Sequence, residues 1–175
     1  MTFLNSKSTL MLAAIGLTAC AVIVSSMNAT AVAAAGANAD DCRMVQGRLT
    51  ALRVTEGCTN PLGCFAGSIS GSGLLNGTFT EESIGIAPSA GLPGIEPPTT
   101  LSVAGERVIT TKRGTLTLHL LAVFDTVTGE FDELENVTGG TGQFAGTTGT
   151  LHLFGRATNA DLFEGDIIGE ICLAH

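Results

Sequence analysis

Apolar side chains take every second position from Leu116 through Leu118, Leu120 and Ala122 to Phe124, while the other face carries Thr115, Thr117 and His119. A helix repeats its buried face every 3.6 residues and a strand every two, so this stretch can bury one face only as a strand. Residues 149–157 and 162–172, which follow the glycine-dense run Val137-Thr-Gly-Gly-Thr-Gly-Gln-Phe-Ala-Gly146, alternate in the same way. No helical pattern separates these segments, and the chain reads as all-β.

Taken in order, strands are expected over residues 44–54, 65–70, 74–81, 101–111, 115–125, 130–138, 149–157 and 162–172. Gly71-Ser-Gly73 parts the second from the third as a tight turn, or else forms a bulge in one long bent strand. Lys112-Arg-Gly114 and Thr126-Val-Thr-Gly129 read as short hairpin turns. Residues 84–99 carry Pro88, Pro93, Pro97 and Pro98 among glycines, and proline lacks the donor that a helix or a central strand requires. They are expected to form one long loop, either a lid or binding loop or a plain surface excursion.

The last hairpin can be registered from pattern. Pairing Ala157 with Phe163 sets Gly155 against Gly165, Leu153 against Ile167 and Leu151 against Gly169 on one face. The other face then pairs Arg156 with Glu164 and Thr150 with Glu170. A slip of one residue would mix the two faces, so this register is preferred. Eight sequential strands with mostly short turns imply an eight-stranded antiparallel up-and-down (calycin-like) barrel, which removes the exposed edges of an open sheet; a two-sheet sandwich is the rival.

The cysteines test the closure. Cys42 opens the first strand and Cys58 follows its end, which puts them roughly 35 to 50 Å apart at strand rise. A disulfide needs Cα atoms within about 7 Å, so Cys42 can pair with neither Cys58 nor Cys64. In a closed meander the end of the eighth strand meets the start of the first, which sets Cys172 beside Cys42 and leaves Cys58 with Cys64. Free buried thiols are the alternative. A metal site is not expected, since Cys-x5-Cys without a nearby histidine is a poor zinc pattern.

Lys7 precedes an apolar run over residues 9–24 and a small-residue tail through Ala31-Val-Ala-Ala-Ala35. A basic start, an apolar middle and an Ala-x-Ala end are the parts of a secretory signal, expected over residues 1–35 with cleavage after Ala33 or Ala35. Leu17-Thr-Ala-Cys20 is similar to a lipobox, although the apolar run continues past Cys20; lipoprotein anchoring there is the minority reading. The run is short for a membrane span, which needs roughly 20 apolar residues. The remaining domain, residues 36–175, is expected to be secreted or periplasmic. Its cations are Lys112 and six arginines against all sixteen Asp and Glu of the chain, and there is no Trp or Tyr. Nucleic acid, which asks for a basic face and stacking rings, is not an expected partner.

Candidate chemistry gathers on the sixth strand, where Glu130-Phe-Asp-Glu-Leu-Glu135 places carboxylates on both faces. A four-residue turn before it would pair Phe124 with Phe131 and Ala122 with Glu133, pointing Glu133 and Glu135 inward with the leucines of the fifth strand. The alternative register turns Glu130 and Asp132 inward, and the ordinary reading, which the sequence favours, is a solvated acidic strand near a rim. A carboxyl inside an apolar cavity would have its pKa raised by desolvation and could transfer a proton or orient a ligand. His119 and His152 lie off the aliphatic faces and read as surface or interface residues. No nucleophile elbow, His-Glu-x-x-His or phosphate loop is present, and Gly140-Thr-Gly142 precedes a strand instead of a helix N-terminus, so no cofactor is expected.

The run from Val137 to Gly146, with the Thr and Gly step into an apolar strand, resembles the corresponding segment of plant dirigent proteins and allene oxide cyclases, and a similar motif recurs in secreted bacterial proteins with an allene-oxide-cyclase-like barrel. The resemblance is sharp over about twenty residues and architectural elsewhere, so it informs fold more than activity. It implies a calycin-like barrel, often trimeric, whose apolar cavity binds hydrophobic small molecules and steers a cyclisation or coupling. Dirigent cavities use tyrosine with aspartate and arginine; this chain has no tyrosine, and no catalytic position is carried over. The expected function is an exported barrel that binds an apolar small molecule through Glu133 and Glu135, with a cofactor-free cyclase-like activity or none, and with dimeric or trimeric self-association. The other reading is a non-catalytic structural or interaction barrel with a filled core, the commoner state for small barrels.

Overall fold

The computed structural model describes residues 41–71, 73–89 and 99–174. The expected signal segment over residues 1–35, the Cys20 lipobox and the middle of the proline-rich stretch, residues 90–98, lie outside the described residues. Eight strands follow one another: β1 (Cys42–Val54), β2 (Cys64–Gly71), β3 (Gly77–Pro88), β4 (Thr100–Thr111), β5 (Gly114–Asp125), β6 (Glu130–Gly140), β7 (Thr148–Ala157) and β8 (Leu162–Cys172). Each pairs antiparallel with the next, and β8 returns to β1 to close the barrel. Among the described residues no helix is long and apolar enough to cross a membrane.

The closing ladder runs from Cys42↔Cys172 to Leu52↔Leu162, so the terminal strands belong to one sheet and the sandwich is excluded. Cys42 is disulfide-bonded to Cys172 across this seam, and Cys58 to Cys64 at the β1–β2 turn. Such bridges form in oxidising compartments. The β7–β8 hairpin has the register that alternation selects, from Ala157↔Phe163 through Gly155↔Gly165 and Leu153↔Ile167 to Thr150↔Glu170.

Two sequence expectations are corrected. The third strand begins at Gly77, and Leu74 and Leu75 are buried in the turn before it. It then runs on to Pro88, so residues 84–88 are strand and not part of the loop. Proline is tolerated because β3 pairs with β2 only through Glu82, which leaves one edge open beyond that point. A register shift between Ser83 and Gly85 reverses the faces, so that Ser83 points inward on one side of it and Ile86, paired with Val103, on the other.

The two ends of the barrel differ. At the end holding the Cys42–Cys172 bridge, Leu74, Leu75, Phe144 and Ile171 pack into the core. Phe144 gets there because the chain leaves β6 at Gly140, makes one 3-10 turn over Gly142–Phe144 and re-enters at β7. That turn lies flat on the β4–β5 hairpin: Gln143 N donates to Arg113 O at 2.9 Å and Thr141 N to Thr115 O at 2.9 Å. Gly142 has φ +59°, and a Cβ there would sit 2.4 Å from the carbonyl oxygen of Arg113. The glycine motif is therefore the stopper of the closed end.

Candidate functional site: an apolar cavity over a buried arginine

The opposite end gathers the turns after β1, β5 and β7, together with the points where β3 ends and β4 begins. Ser89 N donates to Thr100 O at 3.0 Å there, holding the departing and returning chain together. A cavity of about 330 Å³ opens at this end. Its walls are aliphatic side chains such as Leu49, Val103 and Leu153, with Leu62 from the turn that the Cys58–Cys64 bridge closes. Asn60 fixes that turn, donating from Nδ2 to Ser83 O at 2.7 Å and accepting from Leu62 N at 3.0 Å.

Four phenylalanines collar the cavity. Phe163 on β8 stands edge-on to Phe65 of β2 at 5.3 Å between centroids and is tilted against Phe124 of β5 and Phe131 of β6, each at 6.2 Å. Phe124 and Phe131 are direct cross-strand partners. Edge and tilted arrangements set the positive rim of one ring against the negative face of another, which holds the collar in place.

The floor is charged. Along β4 the inward phase runs through Val103, Gly105, Arg107 and Ile109, which places Arg107 in the interior with a side chain 2% exposed. Its guanidinium joins three strands. Nε donates to Glu81 Oε2 on β3 at 3.0 Å, and Nη2 donates to the same oxygen. Nη2 also donates to Glu133 Oε2 at 2.9 Å, and Nη1 donates to Glu135 Oε1, both on β6. The Phe79 ring lies against the guanidinium, 5.1 Å from Cζ to centroid. Buried charges persist only when paired and hydrogen-bonded, and this fork meets both conditions.

Of the two β5–β6 registers, the structure has the one that a four-residue turn sets, with Phe124↔Phe131 and Ala122↔Glu133, so Glu133 and Glu135 point inward. The solvated-strand reading that the sequence favoured is corrected, because their charge is met by Arg107 instead of water. Glu130 and Asp132 take the exposed face. The two inward glutamates differ: Glu135 is fully buried beneath the cavity, with no partner for Oε2 among the described residues, whereas Glu133 lines the cavity with a side chain 12% exposed.

Electrostatics follow from this placement. Burial works to lower the Arg107 pKa, but the charges of Glu81 and Glu133 outweigh it and hold the guanidinium above its ordinary value. For Glu133 burial is the largest influence and raises the carboxyl to about 7; Arg107 opposes the rise, while Glu81 and Asp132 add to it. A proton-exchanging carboxyl thus faces an apolar chamber.

His119 and His152 lie on the outer face, beside Glu106 at 3.3 Å and Asp132 at 2.7 Å, and neither enters the cavity. Cys42, Glu170 and Cys172 approach one another as potential metal donors, but both sulfurs are committed to the disulfide. Sequence reading missed Arg107 and Glu81. Their signal is phase: Glu81 falls in step with Phe79, and Arg107 with Val103 and Ile109. No known protein family, curated protein or solved structure matches this chain.

Proposed function

We propose that the chain is an exported barrel that binds an apolar small molecule in the cavity above Arg107, Glu81 and Glu133. The observation that carries this reading is the contrast inside the barrel, one half packed solid and the other an open chamber with apolar walls and a few convergent polar groups. That is the usual form of a small-ligand site. Two disulfides support an oxidising destination, and with it the export that the signal-like N-terminus implies. The resemblance to dirigent and allene oxide cyclase barrels agrees with a cofactor-free auxiliary that shapes its ligand, and Glu133 is the group in the chamber suited to proton transfer.

The alternative reading, a structural or interaction barrel, draws on the outer face. Leu121, Leu134 and Ile168 are 65%, 49% and 42% exposed and lie in one row across β5, β6 and β8, with His152 between the last two. We connect this row with self-association, which is compatible with either reading. Titration calorimetry with 1-decanol separates them. Binding at one site per chain, lost in Ala122→Phe, which fills the cavity wall, is the expected result. No binding to the wild type, or equal binding to the filled variant, would favour the interaction barrel.

A further inference from the structure

Resting on that reading, we infer that the cavity selects an apolar ligand with a cationic amine head, held between the Glu133 carboxylate and the phenylalanine collar. Three carboxyl side chains converge on one guanidinium, and Arg107 has already turned Nε, Nη1 and Nη2 toward them. The floor therefore has acceptors and negative charge in excess. A ligand carboxylate would meet that excess with the floor cation already engaged. A neutral alcohol could hydrogen-bond but would leave the imbalance. An ammonium group donates to Glu133, offsets the surplus charge and leaves its alkyl part to the aliphatic walls.

The collar adds a second preference, because Phe65, Phe124, Phe131 and Phe163 also line the cavity and a phenylalanine ring attracts a desolvated cation at its face. The acidic chain, formally −8, favours the approach of a cation as well. Arg53 also lines the mouth, but it is exposed, where solvent and salt screen its charge. Among the described residues, the charged groups around Glu133 are Arg107 from β4, Glu81 from β3, and Glu135 and Asp132 from its own strand; its cross-strand partners, Ala122 on β5 and Leu153 on β7, carry none.

Protonation competes with such a ligand for Glu133, whose carboxyl titrates at about 7. An ammonium binds the ionised form, so decylamine affinity rises about tenfold from pH 6 to pH 8, while the amine itself, with a pKa of about 10, stays charged. Calorimetry with decylamine, 1-decanol and decanoate, all below micelle formation, reads this directly. At pH 8 the expected order is decylamine, then 1-decanol, then decanoate, with at least a tenfold gap between the first two. Glu133→Gln should remove the pH step and bring the amine down to the level of the alcohol measured on the same variant. If that variant fails to fold, the wild-type pH step for the amine against a flat response for the alcohol decides the matter. An alcohol that binds as tightly as the amine, or a pH step that survives Glu133→Gln, overturns the inference and leaves the cavity reading standing. Failure of all three ligands to bind overturns both.

Discussion

A carboxyl whose charged form the fold disfavours must weaken the fold as it ionises. Glu133 is such a group: burial first, then Glu81 and Asp132 against the pull of Arg107, raises it from 4.5 to about 7. Between those values the folded chain keeps a proton that the unfolded chain has lost. The stabilisation is therefore complete below about pH 4.5 and is lost as pH rises through about 7, by roughly 3 kcal/mol. Asp125 works in the opposite sense, since backbone donors from Thr128 and Val127 lower it; its window lies below pH 3.8 and does not overlap. Thermal unfolding followed by circular dichroism should give a lower wild-type Tm near pH 8 than near pH 5, with most of that difference absent in Glu133→Gln. An equal slope in both proteins would assign the effect elsewhere. The orientation of Glu133 was legible as one of two registers, whereas its partner was not. Arg107 sits 26 residues from both Glu81 and Glu133, and a charge in phase with core residues makes sense only once a closed sheet brings those carboxylates to it.

At the scale of elements, alternation was the readable signal and irregularity the hidden one. The β7–β8 register followed from sequence because apolar and polar residues separate cleanly between its faces. The extension of β3 to Pro88 did not, because proline argues against a strand unless one edge is known to be open, and that edge depends on where β2 stops. The glycine run was legible as a strand connection, but its task as a stopper depends on how closely it lies on the neighbouring hairpin. Gly142→Ala would force a side chain into the left-handed region and against Arg113 O, 2.4 Å from its Cβ. It should cost roughly 1 to 3 kcal/mol in chemical denaturation. Affinity for 1-decanol should stay unchanged, since the cavity opens at the other end; a large loss of binding would show that the two ends are coupled.

At the scale of the whole molecule, the fold is a closed sheet whose seam is covalent. The two disulfides close loops of very different length, with separations of 130 and 6 residues. By chain entropy, removing the seam bridge as Cys42→Ser with Cys172→Ser should cost about 5 kcal/mol, and removing Cys58–Cys64 by the same exchange about 2 kcal/mol. Denaturant titration of the paired variants checks the order, and equal losses would mean that the seam does not constrain the unfolded chain as a long loop should. Closure also gives the barrel its two unlike halves, one stoppered by Phe144 and the other collared by phenylalanines around an open chamber. The rings mark these regions separately, so phenylalanine ring NMR during titration with 1-decanol locates the ligand. Resonances of Phe65, Phe124, Phe131 and Phe163 should shift together and saturate at one equivalent, while those of Phe144 at the closed end and Phe154 on the outer face stay in place. Shifts confined to Phe154, or none among the four collar rings, would contradict an internal binding site.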